Sequence, residues 1–368
     1  MLPKKKFLLL TACLMLAPLA PGAAPDPLWQ TLLPGAGAGS PAFFSGRAIV
    51  AGKDGTLTAL DGAGKPAWKQ KLPGGCLAAP AVDNDGSIYV ACAEGTLVRF
   101  TAGGKEIWRA GLGQEMLATP LLGRDDVYTV SGTGRICKIG KKDGVVRKQA
   151  ELGLAAHSSP VWDAKRATLL VPLKDYSLAA VDTDLAVRWR FRTAGVIYSS
   201  PAVTPHNEVY LTSMDHHLYK LDKQGRPLWK YKARGWIKAS PVIDEKGRVY
   251  FGSYDRHFYA VSSDGRPLWQ FRAKAQFTAS AVIDEAGNLY CGDTSGTVYA
   301  LDRDGKLLWQ YKSPDFITAD LTILPARVLL AGSIDGVLLA FRTRQPLSKK
   351  AWWAKYLGNL TNSGFDEH

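Results

Sequence analysis

The sequence predicts an all-β protein, an eight-bladed β-propeller of four-stranded antiparallel blades, from a repeat of about 40 residues. Each repeat opens near a Ser-Pro pair, and the second position of this pair advances by 39 to 41 residues from one copy to the next. Eight copies are in register, with that second position at Pro41, Pro80, Pro120, Pro160, Pro201, Pro241, Ala281 and Asp320.

A tryptophan near the end of each repeat is the second observation. It stands at Trp29, Trp68, Trp108, Trp189, Trp229, Trp269, Trp309 and Trp352, and Lys148 occupies the one missing slot. A large ring on an outer strand is suited to wedge against the adjacent blade. We therefore expect these tryptophans to be structural, and not a platform for stacking a ligand.

Within a repeat, short apolar or β-branched runs alternate with polar turns that contain glycine, which adopts positive φ at low cost. In the sixth repeat an apolar strand precedes the turn at 244–247, and an aromatic strand at 248–252 follows it. A lone four-stranded sheet cannot cover both of its faces. The blades must therefore pack face to face around a closed ring.

Closure of this ring has two possible forms in the sequence. Residues 27–30 resemble a fourth strand with no blade before them, and this strand would complete blade eight. The alternative is that Trp352 completes that blade. The long linker at 342–350 favours closure by the N-terminal strand, which would leave 351–353 as part of a docked tail.

The N-terminal residues have the features of a secretory signal peptide, with three lysines before an apolar run at 7–19 and small residues after it. This run is shorter than the roughly 20 residues that span a bilayer. A lipoprotein signal with acylation at Cys13 is the alternative. We expect a periplasmic or secreted protein with a signal peptide at 1–24, a propeller at 25–350, and a C-terminal tail at 351–368 that docks on or closes the ring.

The formal net charge of +13 is spread over all repeats. It suits an anionic partner, such as an acidic envelope protein, lipid head groups or an anionic cell-wall polymer. A solvated cationic surface is the simpler explanation. No basic cluster of the kind that binds nucleic acid is present, so we expect no nucleic-acid partner, no membrane span and a monomer.

The repeat consensus xxVYxGSxDGxLYALDxxGxxLWxY resembles the pyrroloquinoline-quinone-like (PQQ-like) propeller repeat over residues 27–357. Proteins with this repeat include quinoprotein dehydrogenases and the outer-membrane assembly propeller lipoprotein. The tail at 353–364 is similar to a segment of exported proteins that carry these repeats, with Ala354 in place of the usual proline.

The resemblance implies a fold, but a fold hosts many functions. Quinoprotein enzymes are longer and carry a vicinal cysteine pair, calcium-binding carboxylates and a catalytic aspartate on inserted loops. This chain has no adjacent cysteines and almost no insertions. We therefore expect no PQQ cofactor and a non-catalytic scaffold that binds a protein or polymer at the cell envelope. A PQQ-dependent or other oxidoreductase and an outer-membrane protein assembly factor are the alternatives.

A candidate binding site lies at the turn between the second and third strands of each blade. Most blades keep glycine there, whereas blades four, five and six have Tyr176, His216 and Arg256, the last two followed by His217 and His257. The same blades place four further side chains before their first strands, close to the channel mouth: His157, Tyr198, Trp236 and Lys238. We expect this patch to bind a partner. Longer side chains that merely fill a wider loop surface are the simpler reading.

The histidines of this patch, with Asp215 and Asp255, are also candidate metal ligands. We expect no metal because ligands on separate blade turns lie far apart. No Ser-His-Asp arrangement and no glycine-rich phosphate loop is present, so no catalytic residue is assigned.

Cys76 and Cys92 are almost symmetric about the turn at 83–86 in blade two. They should lie opposite each other, within disulfide reach if their side chains share a face. Cys137 and Cys291 should be single buried thiols.

Overall fold

The computed structural model describes residues 25–33, 40–153, 158–163, 165, 167–355, 357, 359 and 362. The predicted signal peptide, with Cys13, lies outside the described residues. Within these ranges the chain forms eight four-stranded antiparallel sheets and no α-helix. The predicted fold class, an eight-bladed β-propeller, is confirmed. In the same ranges, no helix has the length and apolar character needed to cross a membrane.

The first four blades are continuous in sequence, and each runs from the channel outwards. Their strands are β2 (Ala42–Phe44), β3 (Arg47–Ala51), β4 (Thr56–Leu60) and β5 (Pro66–Lys71); β6 (Ala81–Val82), β7 (Ile88–Cys92), β8 (Thr96–Phe100) and β9 (Glu106–Gly111); β10 (Leu121–Leu122), β11 (Asp126–Val130), β12 (Arg135–Gly140) and β13 (Val146–Glu151); and β14 (Val161–Asp163), β15 (Thr168–Pro172), β16 (Ser177–Asp182) and β17 (Val187–Arg192).

Blades five to seven repeat the pattern, and blade eight combines both ends of the propeller. Their strands are β18 (Ala202–Val203), β19 (Val209–Thr212), β20 (His217–Leu221) and β21 (Pro227–Lys232); β22 (Val242–Ile243), β23 (Val249–Gly252), β24 (His257–Val261) and β25 (Pro267–Arg272); β26 (Val282–Ile283), β27 (Leu289–Gly292), β28 (Thr297–Leu301) and β29 (Leu307–Lys312); and β30 (Thr322–Leu324), β31 (Val328–Gly332), β32 (Val337–Arg342) and β1 (Trp29–Leu32).

The N-terminal strand completes blade eight. β1 pairs antiparallel with β32, so that Trp29 lies opposite Ala340 and Leu32 lies opposite Val337. This is the closure that the long linker at 342–350 favoured. It joins the two ends of the propeller within a single sheet, so the ring is held by ordinary strand pairing.

The burial pattern of the strands follows from face-to-face packing. In blade six every residue of β23 is buried, and so is every residue of β24 after His257. The outer strand β25 alternates between half-buried and exposed side chains from Trp269 onwards. The two middle strands are covered on both faces because each blade has a neighbour on either side, and the core therefore lies between blades.

A belt of side-chain hydrogen bonds links successive blades around the channel. The backbone N–H of Ser200 donates to Ser240 Oγ at 2.9 Å, and that of Ser240 donates to Ser280 Oγ at 3.0 Å. The N–H of Ser280 donates to Asp320 Oδ1 at 2.6 Å, so Asp320 is equivalent to the serine and not to the second position of the pair that the sequence spacing predicted. The N–H of Thr119 likewise donates to Ser159 Oγ at 2.9 Å. In each of these cases the residue before the first strand satisfies the buried backbone of the preceding blade.

Tryptophans form a second set of contacts at larger radius. The indole N–H of Trp229 donates to Ser263 O at 3.1 Å, and that of Trp269 donates to Arg303 O at 3.0 Å. Each acceptor belongs to the turn between strands three and four of the next blade. The Trp229 ring lies so close to Gly265 in that turn that an added Cβ would be 2.9 Å from it.

The C-terminal tail does not form another blade strand. Ile243 and Trp353 exchange backbone hydrogen bonds at 2.8 and 3.0 Å, and the N–H of Ile283 donates to Ala354 O at 2.9 Å. Trp352 packs edge-on against the His206 ring, with centroids 5.3 Å apart. Its spacing matches the repeat tryptophans, but it lies against the first-to-second-strand turns of blades five and six.

Lys355 is fully buried in this tail. Its Nζ donates to Asn359 O at 3.1 Å and to Asn362 Oδ1 at 2.6 Å, and Asn362 Nδ2 donates to Ser40 O at 3.1 Å. Burial lowers the pKa of Lys355 to about 7, against the opposing effect of the Asp320 carboxylate, and burial raises the pKa of Asp320. The described residues of the tail thus contact blade six through Trp353 and blade one through Asn362.

Cys76 and Cys92 lie close together, as their spacing predicted. Both thiols are buried and their sulfurs are 3.3 Å apart, without a bond between them. Contact with Cys92, reinforced by burial, raises the pKa of the Cys76 thiol. A disulfide here stays a prediction, and Cys137 and Cys291 are free and buried.

The tryptophan wedge predicts unequal effects of two Gly→Ala substitutions. Gly265 and Gly46 both have positive φ, of 86° and 79°, but nothing lies within 4 Å of a Cβ at Gly46. Each substitution should therefore cost about 1 kcal/mol for the backbone, and Gly265→Ala should cost about 1–3 kcal/mol more because it displaces Trp229. Denaturant unfolding measures both. Equal losses of unfolding free energy in the two variants would show that the Trp229 ring can move aside without a measurable cost.

The buried lysine predicts a pH dependence of stability. The unfolded chain keeps the Lys355 proton up to about pH 10.4, whereas the folded chain releases it near pH 7. The free energy of unfolding should therefore rise between pH 7 and 10, by at most about 1.4 kcal/mol per unit, and Lys355→Met should lack this component. Denaturant unfolding at several pH values tests it, with the exposed Lys65→Met as control. Parallel curves for Lys355→Met and wild type would contradict the assignment.

Candidate functional site

The loop that enters each first strand brings one side chain to the mouth of the central channel. In blades five and six these are Tyr198 and Lys238, and Lys238 Nζ lies 5.6 Å from the centroid of the Tyr198 ring. Both line a cavity of about 360 Å³ together with Leu77, Leu117 and Asp320, and small hydroxyl side chains form most of the remaining wall. The structure thus brings together two of the residues that the sequence singled out.

The three turns that lack glycine have the backbone conformation that glycine favours. Tyr176, His216 and Arg256 have φ of 69°, 74° and 70°. At the same position the other blades have Gly55, Gly95, Gly134, Gly296 and Gly336, all with positive φ. Non-glycine residues with this conformation are uncommon and strained. Three adjacent blades therefore retain the same backbone strain, with their side chains on the channel-mouth face.

Asp215 and Asp255 fasten these turns to the loop of the preceding blade. Asp215 Oδ2 accepts from the Tyr219 hydroxyl at 2.6 Å and from the N–H of Ala194 at 2.9 Å. Asp255 Oδ2 accepts from the Tyr259 hydroxyl at 2.7 Å, and the N–H of Arg234 donates to the same atom at 3.0 Å. These hydrogen bonds were not predicted from the sequence, although in both blades an aspartate stands four residues before a tyrosine, which is the pattern that could have indicated them.

His217 and His257 are held by the same turns. The Nδ1 of His217 lies 2.8 Å from Asp215 O, and that of His257 lies 3.0 Å from Asp255 O. Only 17 % and 13 % of these side chains is exposed. Within the described ranges, no three His, Cys, Asp or Glu side chains are grouped to hold a metal ion. His157, the remaining predicted site residue, lies outside the described residues.

Trp236 gives the site its exposed aromatic surface. It is 50 % exposed and its ring packs on Tyr254, with centroids 5.8 Å apart. The N–H of Tyr254 donates to Trp236 O at 2.9 Å. Burial, with a smaller contribution from Tyr198, raises the pKa of Tyr254. Tyr254 was not singled out from the sequence because it precedes the turn tip by two residues.

These features define a class of protein: a regular eight-bladed propeller with a polar channel and a strained aromatic and basic patch at one mouth. The sequence matches the profile of the family described as outer membrane protein assembly factor BamB over residues 23–102, 64–184 and 174–361. The chain belongs to this family.

Solved structures share the fold. BamB from Moraxella catarrhalis matches with a TM-score of 0.75 and 20 % identity, over 87 % of this chain and all of that one. The computationally designed Ika8 protein matches with a TM-score of 0.75 and 14 % identity, over 86 % of this chain and all of that one. At these identities the likeness shows the fold alone. No curated protein matches the sequence.

The strained turns predict a gain in stability on return to glycine. Arg256→Gly should raise the free energy of unfolding by about 1 kcal/mol because it removes the cost of positive φ at a side-chain-bearing residue. Thermal or denaturant unfolding measures the change. Arg266→Gly is a matched control, since Arg266 lies outside the residues with positive φ. A loss of stability at position 256 would show that the side chain contributes more than the backbone conformation costs.

Proposed function

We propose that this protein is an exported, non-catalytic scaffold of the cell envelope, which binds another envelope protein through its channel-mouth face during outer-membrane protein assembly. The observation that carries the proposal is the retention of strained side chains on three adjacent turns. Five other blades keep glycine at this position.

The chemistry of the mouth supports protein binding. Trp236 is half exposed, and Tyr198 and Lys238 lie at the channel mouth next to it. Tryptophan, tyrosine and arginine dominate the energetics of protein interfaces. No catalytic residue is assigned to this surface, where the His217 and His257 rings lie against backbone carbonyls of their own turns.

Family membership and the N-terminal sequence support the location and the process. The family carries the name of an outer-membrane assembly factor, and residues 1–24 have the charge and apolar pattern of a secretory signal. An anionic envelope polymer is the other partner that the net charge of +13 suits.

Substitution of the mouth side chains tests the proposal. The variant Tyr198→Ala/Trp236→Ala/Lys238→Ala should lower capture of the envelope partner about tenfold, because it removes both aromatic contacts and the cation. Capture is measured by affinity purification of the tagged chain from its native envelope after in-cell cross-linking, with mass spectrometry of the captured proteins.

Lys65→Ala/Leu228→Ala/Leu268→Ala is the control, because these three side chains are also exposed and lie outside the channel mouth. The control should capture the same partner as the wild type. A strain that lacks the protein should also contain less folded outer-membrane β-barrel protein, and the control variant should restore it. Unchanged capture and complementation by the triple variant would refute the proposal.

A further inference from the structure

We propose that the partner contacts this scaffold through an acidic segment, held by a basic cluster around the turns of blades five and six. The basic cluster consists of Lys232, Arg234, Arg256, Arg272 and Lys274. This inference rests on the proposed function, since it specifies the chemistry of the partner that the channel-mouth face binds.

The backbone brings these five residues together. Lys232 lies opposite His217, and Arg272 lies opposite His257, at the ends of the strands that flank each turn. The N–H of Ala273 donates to Arg256 O at 2.8 Å, which places Arg272 and Lys274 on either side of that contact.

Arg234 joins the cluster from the preceding loop. Its backbone N–H donates to Asp255 Oδ2 at 3.0 Å, next to Arg256 in the turn of blade six. The five cations therefore surround two neighbouring turns and do not form a line along one strand.

The basic cluster is not neutralised within the molecule. All five side chains are exposed, and none of them forms an ion pair with another residue in the described part of the chain. The neighbouring carboxylates, Asp215 and Asp255, are only 6 % and 11 % exposed and accept hydrogen bonds from tyrosine hydroxyls and backbone N–H groups.

Several arginines elsewhere on the ring are paired with carboxylates. Arg226 contacts Asp222 at 2.7 Å and Arg248 contacts Asp244 at 2.6 Å, both on the face opposite the channel mouth. In blade four Arg192, at the position of Lys232 and Arg272, contacts Asp175 at 3.4 Å. The cations of the basic cluster therefore lack the carboxylate partner that Arg192 has in blade four.

The side chains of the cluster favour a protein segment over a lipid surface or a polymer. Three of the five are arginines, whose planar guanidinium matches a carboxylate with two parallel hydrogen bonds. Trp236 lies between Arg234 and Lys238 in sequence and is half exposed, so an apolar side chain of the same segment has a surface to pack on. Alternating acidic and apolar residues fit this arrangement.

Two labelled synthetic peptides probe the cluster directly. One alternates glutamate with leucine and phenylalanine, and the other has glutamine in place of every glutamate. The full mature chain should bind the glutamate peptide at least about tenfold more tightly than the glutamine peptide in fluorescence anisotropy, and the preference should shrink as salt is raised.

Charge reversal locates the site. Arg234→Glu/Arg272→Glu should weaken binding of the glutamate peptide about tenfold, whereas Lys65→Glu/Lys105→Glu, with the same charge change on the opposite face, should leave it within about twofold. Equal affinity of the two peptides, or equal effects of the two variants, would overturn the proposal. The proposal would also be overturned if Arg234→Glu/Arg272→Glu still bound the glutamate peptide but no longer bound phosphatidylglycerol vesicles, because that result would assign the cluster to a membrane.

The capture experiment separates this inference from the proposed function. If the triple alanine variant loses its partner and Arg234→Glu/Arg272→Glu keeps it, the scaffold function stands and the acidic-segment inference fails. If both variants lose the same partner, and that partner's acidic segment competes with the glutamate peptide, the inference is supported.

Discussion

The rest of the structure depends on the belt of hydrogen bonds around the channel. Near the axis the first strands converge, and their backbone groups are shielded from water. Ser159, Ser240 and Ser280, each just before a first strand, supply hydroxyl acceptors for backbone N–H groups of the preceding blade. Since Tyr198 and Lys238 precede the belt by two residues, the belt also fixes where the mouth side chains lie. In blade eight Asp320 takes the serine's place, and its carboxylate accepts the N–H of Ser280.

At larger radius the tryptophans set the angle between blades. Trp229 rests on the turn of the next blade, where Gly265 leaves room for its ring. Two contacts at different distances from the axis restrain the rotation of each blade more than either does alone. The mouth can therefore retain unusual backbone conformations at Tyr176, His216 and Arg256, because the surrounding sheets are held independently of those turns.

Most of the fold could be predicted from the sequence because local patterns recur in most blades: turn glycines, alternating strands and one tryptophan. Closure by β1 was also accessible, from a single unpaired strand signal. The hydrogen bonds that Asp215 and Asp255 make with the preceding loop could not be predicted, because their donors there are backbone N–H groups, which leave no mark in the sequence. The contacts of the tail could not be predicted either. Trp352 has the spacing of a repeat tryptophan, but its contact with His206 depends on tertiary packing.

The described residues of the tail contact two blades that are not neighbours in the ring. Trp353 exchanges backbone hydrogen bonds with Ile243 of blade six, and Asn362 Nδ2 donates to Ser40 O at blade one. These contacts add a connection across the ring to the strand pairing that closes blade eight. Without them, blades six and one would be joined only through the blades that lie between them.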